Sequence, residues 1–353
     1  MLDHANDGHS ANACVVRRLG SDDEARWDAF VNDAPEATFF HFVAWRSIIE
    51  QGLGHRCHYL LAERGGVVTG ILPLAEIRSW LFGHALISTP FCVYGGVVAS
   101  DAESEKRLTE AAVALADELR VDYLELRDRE PRHPDWPVKD LYVTFRRAIR
   151  PQDVSDLKSI RANRRKSIRK GIKAGLAARH DGDIDEFYRV YAESVRNLGT
   201  PVLPRSYYQR LQQTFGKNCE TTVIVHEGKS VATVMSFYFR DEVHVYYAGS
   251  VRRSRDFGAN DFMYWAVMQR AVERGARLFD FGRSKQGTGS FDFKQYWDFE
   301  PEPLPYAYHL VRATTIPNVS PTNRKYKLFI KAWQKLPLPV SCALGPFLAR
   351  DLG

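Results

Sequence analysis

Ionisable and hydroxyl side chains concentrate in one stretch of the sequence, between Phe279 and Tyr306. Its first part is a short apolar strand, residues 278–281, which carries Asp280 and stops at Gly282. The polar and flexible residues that follow are Arg283, Ser284, Lys285, Gly287 and Gly289. This combination predicts a site that holds an anionic or carbonyl oxygen. A solvated loop above an aromatic anchor is the alternative, because glycine, serine and lysine are also common in loops.

Two side chains at the strand end have roles that follow from their chemistry. Arg283 is suited to hold a phosphate or carboxylate of a substrate. Asp280, on its strand, either orients Arg283 or accepts a proton. Lys294 follows among aromatic residues that include Phe293 and Trp297.

A strongly basic helix is predicted over residues 158–173. Its cations are Lys158, Arg161, Arg164, Arg165, Lys166, Arg169, Lys170 and Lys173. Arg164 lies between Ile160 and Ile168 at four-residue steps, so it points along the apolar stripe. We therefore expect Arg164 to meet an anion and the other cations to form a solvated surface, open to RNA or anionic lipid. An ordinary solvated face explains the patch equally well.

Two further segments carry candidate binding residues. Arg255 and Gly258 precede a predicted helix and form half of an Arg-x-x-Gly-x-Gly/Ala phosphate-binding pattern. Asn260 replaces its second small residue, and a helix N-cap explains that asparagine equally well. In the strand 243–250, alternation places Tyr247 with Val243 and Val245 on one face and Tyr246 on the other.

Residues 280–306 contain, in order, Asp-Phe-Gly-Arg-Ser, Gly-x-Gly, Phe-x-Phe-Lys-x-x-Trp and Phe-Glu-Pro-x-Pro-Leu-x-Tyr. This order resembles the C-terminal signature of the Fem-type transferases. It is most similar to the Fem-like proteins of exosortase (PEP-CTERM sorting) systems. Residues 163–176 resemble the entry to that family's second domain. Asp298 departs from the pattern, which usually has glycine after the tryptophan.

The resemblance implies two tandem acetyltransferase-like (GNAT) domains and transfer of an aminoacyl or acyl group to an amine. It implies that Lys294 stabilises the tetrahedral oxyanion and that the strand with Tyr246 and Tyr247 lines the acceptor cleft. Both tyrosines are then candidates for orienting an amine, and a half-buried aromatic is the alternative for each. Trp45 and Tyr94 match family positions that line the cleft between the domains; a core tryptophan and a tight turn are the alternatives. The implied donor is aminoacyl-tRNA or another activated acyl ester, with no tightly bound cofactor, and acyl-CoA is the alternative donor.

The element pattern favours an α/β (α+β) fold that repeats one unit. Two helices, a hairpin, a further strand, a helix and more strands occur twice along the chain. We expect an N-terminal GNAT-like domain over residues 1–150, a C-terminal GNAT-like domain over 151–315, and a C-terminal helix and tail over 316–353. The tail is apolar with several prolines, and we expect it to pack on the body rather than lie on a membrane.

Composition excludes several classes of protein. The 353 residues carry a net charge of +6, which mildly favours anionic partners. The five separated cysteines show no metal spacing, and no apolar run reaches the ~20 residues of a membrane span. The N-terminus is polar. Together these features predict a cytoplasmic protein that would contact the inner membrane only peripherally.

Three functions besides aminoacyl transfer remain open from the sequence. One is N-acetyl transfer from acyl-CoA through Arg255 and Gly258. Another is a non-catalytic scaffold of an exosortase-type system, which would bind an envelope precursor. That precursor could be a glycan, a lipid-linked intermediate or a peptide. The third is nucleic-acid binding through residues 158–173, which would show a steep salt dependence.

Overall fold

The computed structural model describes residues 13–80, 82–155, 157–316 and 324–351, with side chains 324–327 excepted. The expectation about the polar N-terminus concerns residues that lie almost entirely outside these ranges. The fold is mixed α/β, as predicted. Its contacts separate two units, formed by the described parts of Met1–Asp140, Leu304–Pro317 and Asp351–Gly353, and of Leu141–Pro303 and Asn318–Arg350.

The first unit contains two sheets, of strand order β1-β3-β4-β7 and β2-β5-β6-β8-β18-β9. Its elements are β1 Val15–Arg18, α1 Glu24–Asp33, α2 Trp45–Leu53, β2 Arg56–Cys57, β3 Leu60–Arg64, β4 Val67–Leu72, β5 Leu74–Ser79, β6 Gly83–Ser88, β7 Val98–Ala99, α3 Ala102–Leu119, β8 Tyr123–Leu126, β9 Val138–Lys139 and, from the later chain, β18 Tyr306–Leu310. Residues 67–79 form two consecutive strands, β4 and β5, that belong to different sheets. Pro73 separates them, because proline has no N–H to donate to a ladder.

The second unit is built on one sheet, of order β11-β12-β13-β14-β15-β10-β16, with β17 paired to β10. Its elements are β10 Tyr142–Ala148, α4 Pro151–Ser155, α5 Ala162–Lys173, β11 Ala177–Arg179, α6 Ile184–Leu198, α7 Arg205–Phe215, β12 Cys219–His226, β13 Lys229–Phe239, β14 Glu242–Ser250, α8 Ala259–Glu273, β15 Leu278–Asp280, β16 Ser284–Lys285, α9 Gly289–Gln295, β17 Pro301–Pro303, α10 Arg324–Trp333 and α11 Leu338–Ala349.

The strand β10 belongs to the second unit, although the sequence led us to expect it to close the first. It pairs with β15 on one side and with β16 and β17 on the other. In the first unit, β18 pairs with β8 and β9 instead. The division therefore falls after Asp140 rather than at residue 150, and α10 and α11 group with the second unit rather than forming a separate tail.

The predicted basic helix is interrupted. The chain forms α4, a 3-10 turn over Leu157–Ser159, and then α5. Arg161 has a non-helical backbone before α5, with φ −49° and ψ 140°, and Ser159 donates a hydrogen bond to the carbonyl of Asp153. Ile168 is fully buried, whereas Ile172, one turn further along α5, is 47% exposed.

Within the described residues, no helix has both the length and the apolar character that crossing a bilayer requires. The same residues contain no group of three or more histidine, cysteine, aspartate and glutamate side chains arranged for a metal ion.

Candidate active site

Two parallel strands separate at the centre of the second sheet. β14 and β15 pair only from Glu242 with Leu278 to His244 with Asp280. Beyond that point the N–H of Phe281 donates to β10, 2.9 Å from the carbonyl oxygen of Phe145. Gly282 then adopts a φ of +70°, which favours glycine and turns the chain out of the sheet. The polar loop after β15 begins at this separation.

A β-bulge lies in β14 next to the separation. Met235 of β13 is opposite Tyr247, and the next residue of β13, Ser236, is opposite Val245, so Tyr246 is the extra residue. Alternation predicted that Tyr247 shares a face with Val245, and this was wrong, because the bulge shifts the side chains that follow by one position.

Tyr247 accordingly packs against α6 and α7. Its hydroxyl lies 3.0 Å from that of Tyr207, and its ring contacts Tyr191 and Tyr208 edge-on. Burial raises the pKa of Tyr247 well above its usual value. Tyr247 is therefore a neutral hydrogen-bonding group. Tyr246 is half-buried against Tyr247, with ring centroids 4.8 Å apart.

Asp280 is fully buried and ionised. Its oxygens accept hydrogen bonds from the N–H of Gly282 at 2.6 Å and the hydroxyl of Thr144 at 3.1 Å. One oxygen lies 3.4 Å from Nδ1 of His244 and 3.5 Å from Nε of Arg146. Burial alone would raise the pKa of Asp280, but these partners lower it to about 2.

Sequence reasoning left two roles for Asp280, orienting Arg283 or accepting a proton. In the structure its carboxylate contacts His244 and Arg146. Both are the cross-strand neighbours of Asp280, on β14 and β10. Arg283 lies beyond the turn at Gly282, and its guanidinium is 4.6 Å from the ring centroid of Tyr142.

The loop gathers three cations. Nζ of Lys285 lies 5.5 Å from the Tyr142 ring, on which Arg283 also packs. Burial, and then the charge of Arg283, lower the pKa of Lys285 to about 8. Lys294 is the third cation and is the most buried of them.

Lys294 lies on α9 with only 7% of its surface exposed. Its Nζ donates hydrogen bonds to the carbonyl oxygens of Gly282 at 2.8 Å and Arg283 at 3.2 Å. Burial lowers the pKa of Lys294 to about 7; the charge of Asp280 raises it and that of Arg283 lowers it further. Near neutral pH the group therefore exists both as an ammonium and as a free amine.

Hydrogen bonds within the loop hold α9 in place. Ser284 and Ser290 have their hydroxyl oxygens 3.0 Å apart, and the hydroxyl of Thr288 donates to the carbonyl of Lys285 at 2.7 Å. Gly287 has a φ of +71°, and Gly287 and Gly289 are both exposed with open space around them. Phe293 is half-buried beside Tyr264, with ring centroids 5.4 Å apart.

Arg164 meets an anion, as expected, but the anion is a side chain of the protein. Its Nη1 lies 3.0 and 3.3 Å from the two carboxylate oxygens of Asp261. The same carboxylate accepts a hydrogen bond from the indole N–H of Trp297 at 3.0 Å. The guanidinium also packs over Phe293, 5.7 Å from its ring centroid. Arg164 thus joins α5 to the start of α8 and to the segment that carries Lys294.

The partial phosphate-binding pattern lies against α5. Gly258 has a φ of +69° and begins α8, and Arg255 is exposed. A Cβ placed on Gly258 would lie 2.6 Å from the carbonyl oxygen and from Oγ of Ser167. The backbone of α5 therefore packs tightly on the loop that this pattern would use to approach a pyrophosphate.

Trp45 and Tyr94 are buried in the first unit. Trp45 is fully buried and donates its indole N–H to the carbonyl of Phe39 at 3.1 Å. Tyr94 is 2% exposed, next to Phe40 and under the guanidinium of Arg129. Both have the surroundings of core residues.

The sequence analysis did not identify His244, Arg146 and Asp261 as residues of the candidate site. His244 lies in the strand 243–250, but its pairing with Asp280 depends on which strands flank β15. Asp261 had a visible signal, because an acid in the first turn of a helix after Gly258 is well placed to pair with an arginine.

Comparisons with known proteins found a matching domain family and structures of similar fold. Residues 157–295 match a family model described as "Acetyltransferase (GNAT) domain". No curated protein sequence gave a significant match. Among solved structures, FemX superposes with a TM-score of 0.66 at 13% identity, over 84% of this chain and 98% of that one.

Two further structures have related folds. The C-terminal domain of a putative lysylphosphatidylglycerol synthetase from Agrobacterium fabrum gives a TM-score of 0.57 at 15% identity, over 81% of this chain and 91% of that one. A tandem GNAT protein from the clavulanic acid biosynthesis pathway gives 0.55 at 13% identity, over 86% and 100%. Residues 157–295 thus carry a GNAT acetyltransferase domain, and the protein is an acyltransferase.

Proposed function

We propose that the protein is a Fem-type transferase that moves an aminoacyl or acyl group from an activated ester to an amine of a cell-envelope precursor. The observation that carries this proposal is Lys294, a buried amine at the separation of β14 and β15. Two of its three possible hydrogen bonds are made to the carbonyls of Gly282 and Arg283. A third N–H of the ammonium is available for a substrate oxygen.

In the proposed step, the acceptor nitrogen attacks the ester carbonyl carbon and forms a C–N bond. The carbonyl oxygen becomes an oxyanion, which the ammonium of Lys294 stabilises. The C–O bond to the leaving alcohol then breaks, and the proton lost by the nitrogen passes to the leaving oxygen. No covalent enzyme intermediate forms, so the protein contributes positioning and charge stabilisation.

The other polar residues have supporting roles in this proposal. Asp280 positions the loop by accepting the N–H of Gly282 and, through its charge, favours the ammonium form of Lys294. Arg283 binds a phosphate or carboxylate of donor or acceptor. Tyr247 and Tyr246 orient the attacking amine, and the open glycines of the loop let a substrate approach the backbone.

The proposed donor is aminoacyl-tRNA or another activated acyl ester rather than acyl-CoA. The incomplete phosphate-binding pattern supports this, because Asn260 stands in place of its second small residue. The exposed cations of α5 offer a surface for tRNA or for anionic lipid. Acyl-CoA remains the alternative donor, and calorimetry with CoA tests it directly.

The proposed acceptor is an amine on a glycan, a lipid-linked intermediate or a peptide of the envelope. The resemblance to Fem-like proteins of exosortase systems favours an exopolysaccharide, lipid-linked or protein-sorting intermediate as the acceptor instead of peptidoglycan. Such acceptors are assembled at the inner membrane, so we propose a cytoplasmic protein that associates with it peripherally.

Mass spectrometry of envelope glycans and lipids tests this function. Cells that lack the gene should lose an acyl or aminoacyl mass, which the wild-type gene restores and Lys294→Ala does not. Lys229→Ala, a change of an exposed lysine at the start of β13, should restore it fully. If the profile is the same with and without the gene, or if Lys294→Ala restores the mass, the protein acts as a scaffold.

A further inference from the structure

We propose that α10 and α11 form a docking surface for an anionic phospholipid bilayer. This inference deepens the peripheral localisation proposed above and specifies the surface that makes the contact. It concerns residues that lie outside the acetyltransferase domain match at 157–295.

One face of α11 is fixed to the protein. Ser341, Gly345 and Ala349 are buried at four-residue steps and face α6 and the residues after it. A Cβ on Gly345 would lie 2.7 Å from the carbonyl oxygen of Val202, so the two backbones are in close contact. The sequence led us to expect that this segment packs on the body, and this face does so.

The opposite face of α11 is apolar and exposed. Val340, Leu344 and Phe347 lie at i, i+4 and i+7, and Phe347 is 71% exposed. Two apolar residues of α10 are exposed as well, Leu328 to 68% and Phe329 to 39%. Apolar side chains exposed on successive turns of one helix, as in α11, form the kind of patch that often marks an interaction site.

Charge indicates what covers this surface. The sequence contains no acidic residue between Glu302 and Asp351. Its basic residues over α10 and α11 are Arg324, Lys325, Lys327, Lys331, Lys335 and Arg350. Lys331, Lys335 and Arg350 are exposed, and Lys335 and Arg350 flank α11 on either side. Apolar side chains bordered by cations are complementary to the interface of an anionic bilayer.

The helices are anchored well enough to hold this surface in place. Nη1 of Arg196 donates to the carbonyl of Leu336 at 3.0 Å, and Nε2 of Gln334 donates to the carbonyl of Asn197 at 3.1 Å. Trp333 is buried and stacks on Phe329, with ring centroids 5.4 Å apart. The apolar residues are therefore presented by a fixed helix pair.

Co-sedimentation of the full chain with phosphatidylcholine vesicles, with and without phosphatidylglycerol, tests the proposal. We expect binding that requires the anionic lipid and weakens as salt is raised. The double variant Leu344→Ser, Phe347→Ser should bind the vesicles at least about tenfold more weakly than the wild type. Val67→Ser, a change of an exposed apolar residue in the β3–β4 hairpin, should leave vesicle binding unchanged.

Three results would overturn the proposal. The first is that the wild type does not bind vesicles. The second is that Lys170→Glu with Lys173→Glu in α5 abolishes binding while the double serine variant still binds. The third is a concentration-dependent dimer that the double serine variant dissociates. Circular dichroism confirms that each variant is folded. Because the assay contains no donor or acceptor, its outcome is independent of whether the transferase proposal holds.

Discussion

Replacing Lys294 with methionine should flatten the pH dependence of stability between about pH 6 and pH 9. Folding lowers the pKa of Lys294 from 10.5 to about 7, mainly through burial. Between these two values the unfolded chain binds a proton that the folded protein does not. The free energy of unfolding therefore rises with pH over this window, and the burial penalty is fully present below pH 7.

The magnitude follows from the two pKa values. In the wild type, this one group should add about 2.7 kcal/mol to the free energy of unfolding between about pH 6 and pH 9. Lys294→Met lacks the titrating group and should lack this increment, whatever its stability at pH 6. The assay is urea unfolding at several pH values, with the wild type and variant compared at each.

Lys229→Met is the matched control, because that lysine is exposed and its removal should leave the slope of the wild type unchanged. Parallel curves for the wild type and Lys294→Met would show that the amine keeps its ordinary pKa. That result would refute the argument that burial brings Lys294 close to neutrality.

Two further substitutions test the packing of the site. Gly258→Ala should destabilise the protein by about 2 to 3 kcal/mol, since its Cβ would collide with Ser167 at a positive φ, whereas Gly175→Ala, at a similar φ in open space, should cost only about 1 kcal/mol. Thermal or urea unfolding measures both, and equal losses would contradict the close packing of α5 on this loop. Asp280→Asn should cost about 3 kcal/mol or more, because it leaves the guanidinium of Arg146 and the buried ring of His244 without the carboxylate they contact, while Asp241→Asn at the surface should cost under about 1 kcal/mol. Equal losses of unfolding free energy in the two variants would contradict the conclusion that the buried carboxylate of Asp280 stabilises its neighbours.

Local patterns in the sequence were enough to predict the strand that carries Asp280 and its end at Gly282. These features depend on residues close together in the chain, such as an apolar run followed by glycine. The mixed α/β fold also followed from the order of helices and strands.

Features that depend on distant residues were not predictable in the same way. The bulge at Tyr246 arises from the register between β13 and β14, which alternation in one strand does not reveal. The placement of β10 in the second sheet depends on which later strands flank it. Arg164 illustrates both cases, because its position on α5 predicted an anionic partner but not that Asp261 supplies it.

The most direct test of the central claim is the rate of group transfer from labelled aminoacyl-tRNA to an envelope-precursor extract. Our account predicts that Lys294→Ala lowers kcat on the order of 10²- to 10³-fold with little change in KM, and that Lys229→Ala matches the wild type. A Lys294→Ala enzyme that turns over at the wild-type rate would contradict it.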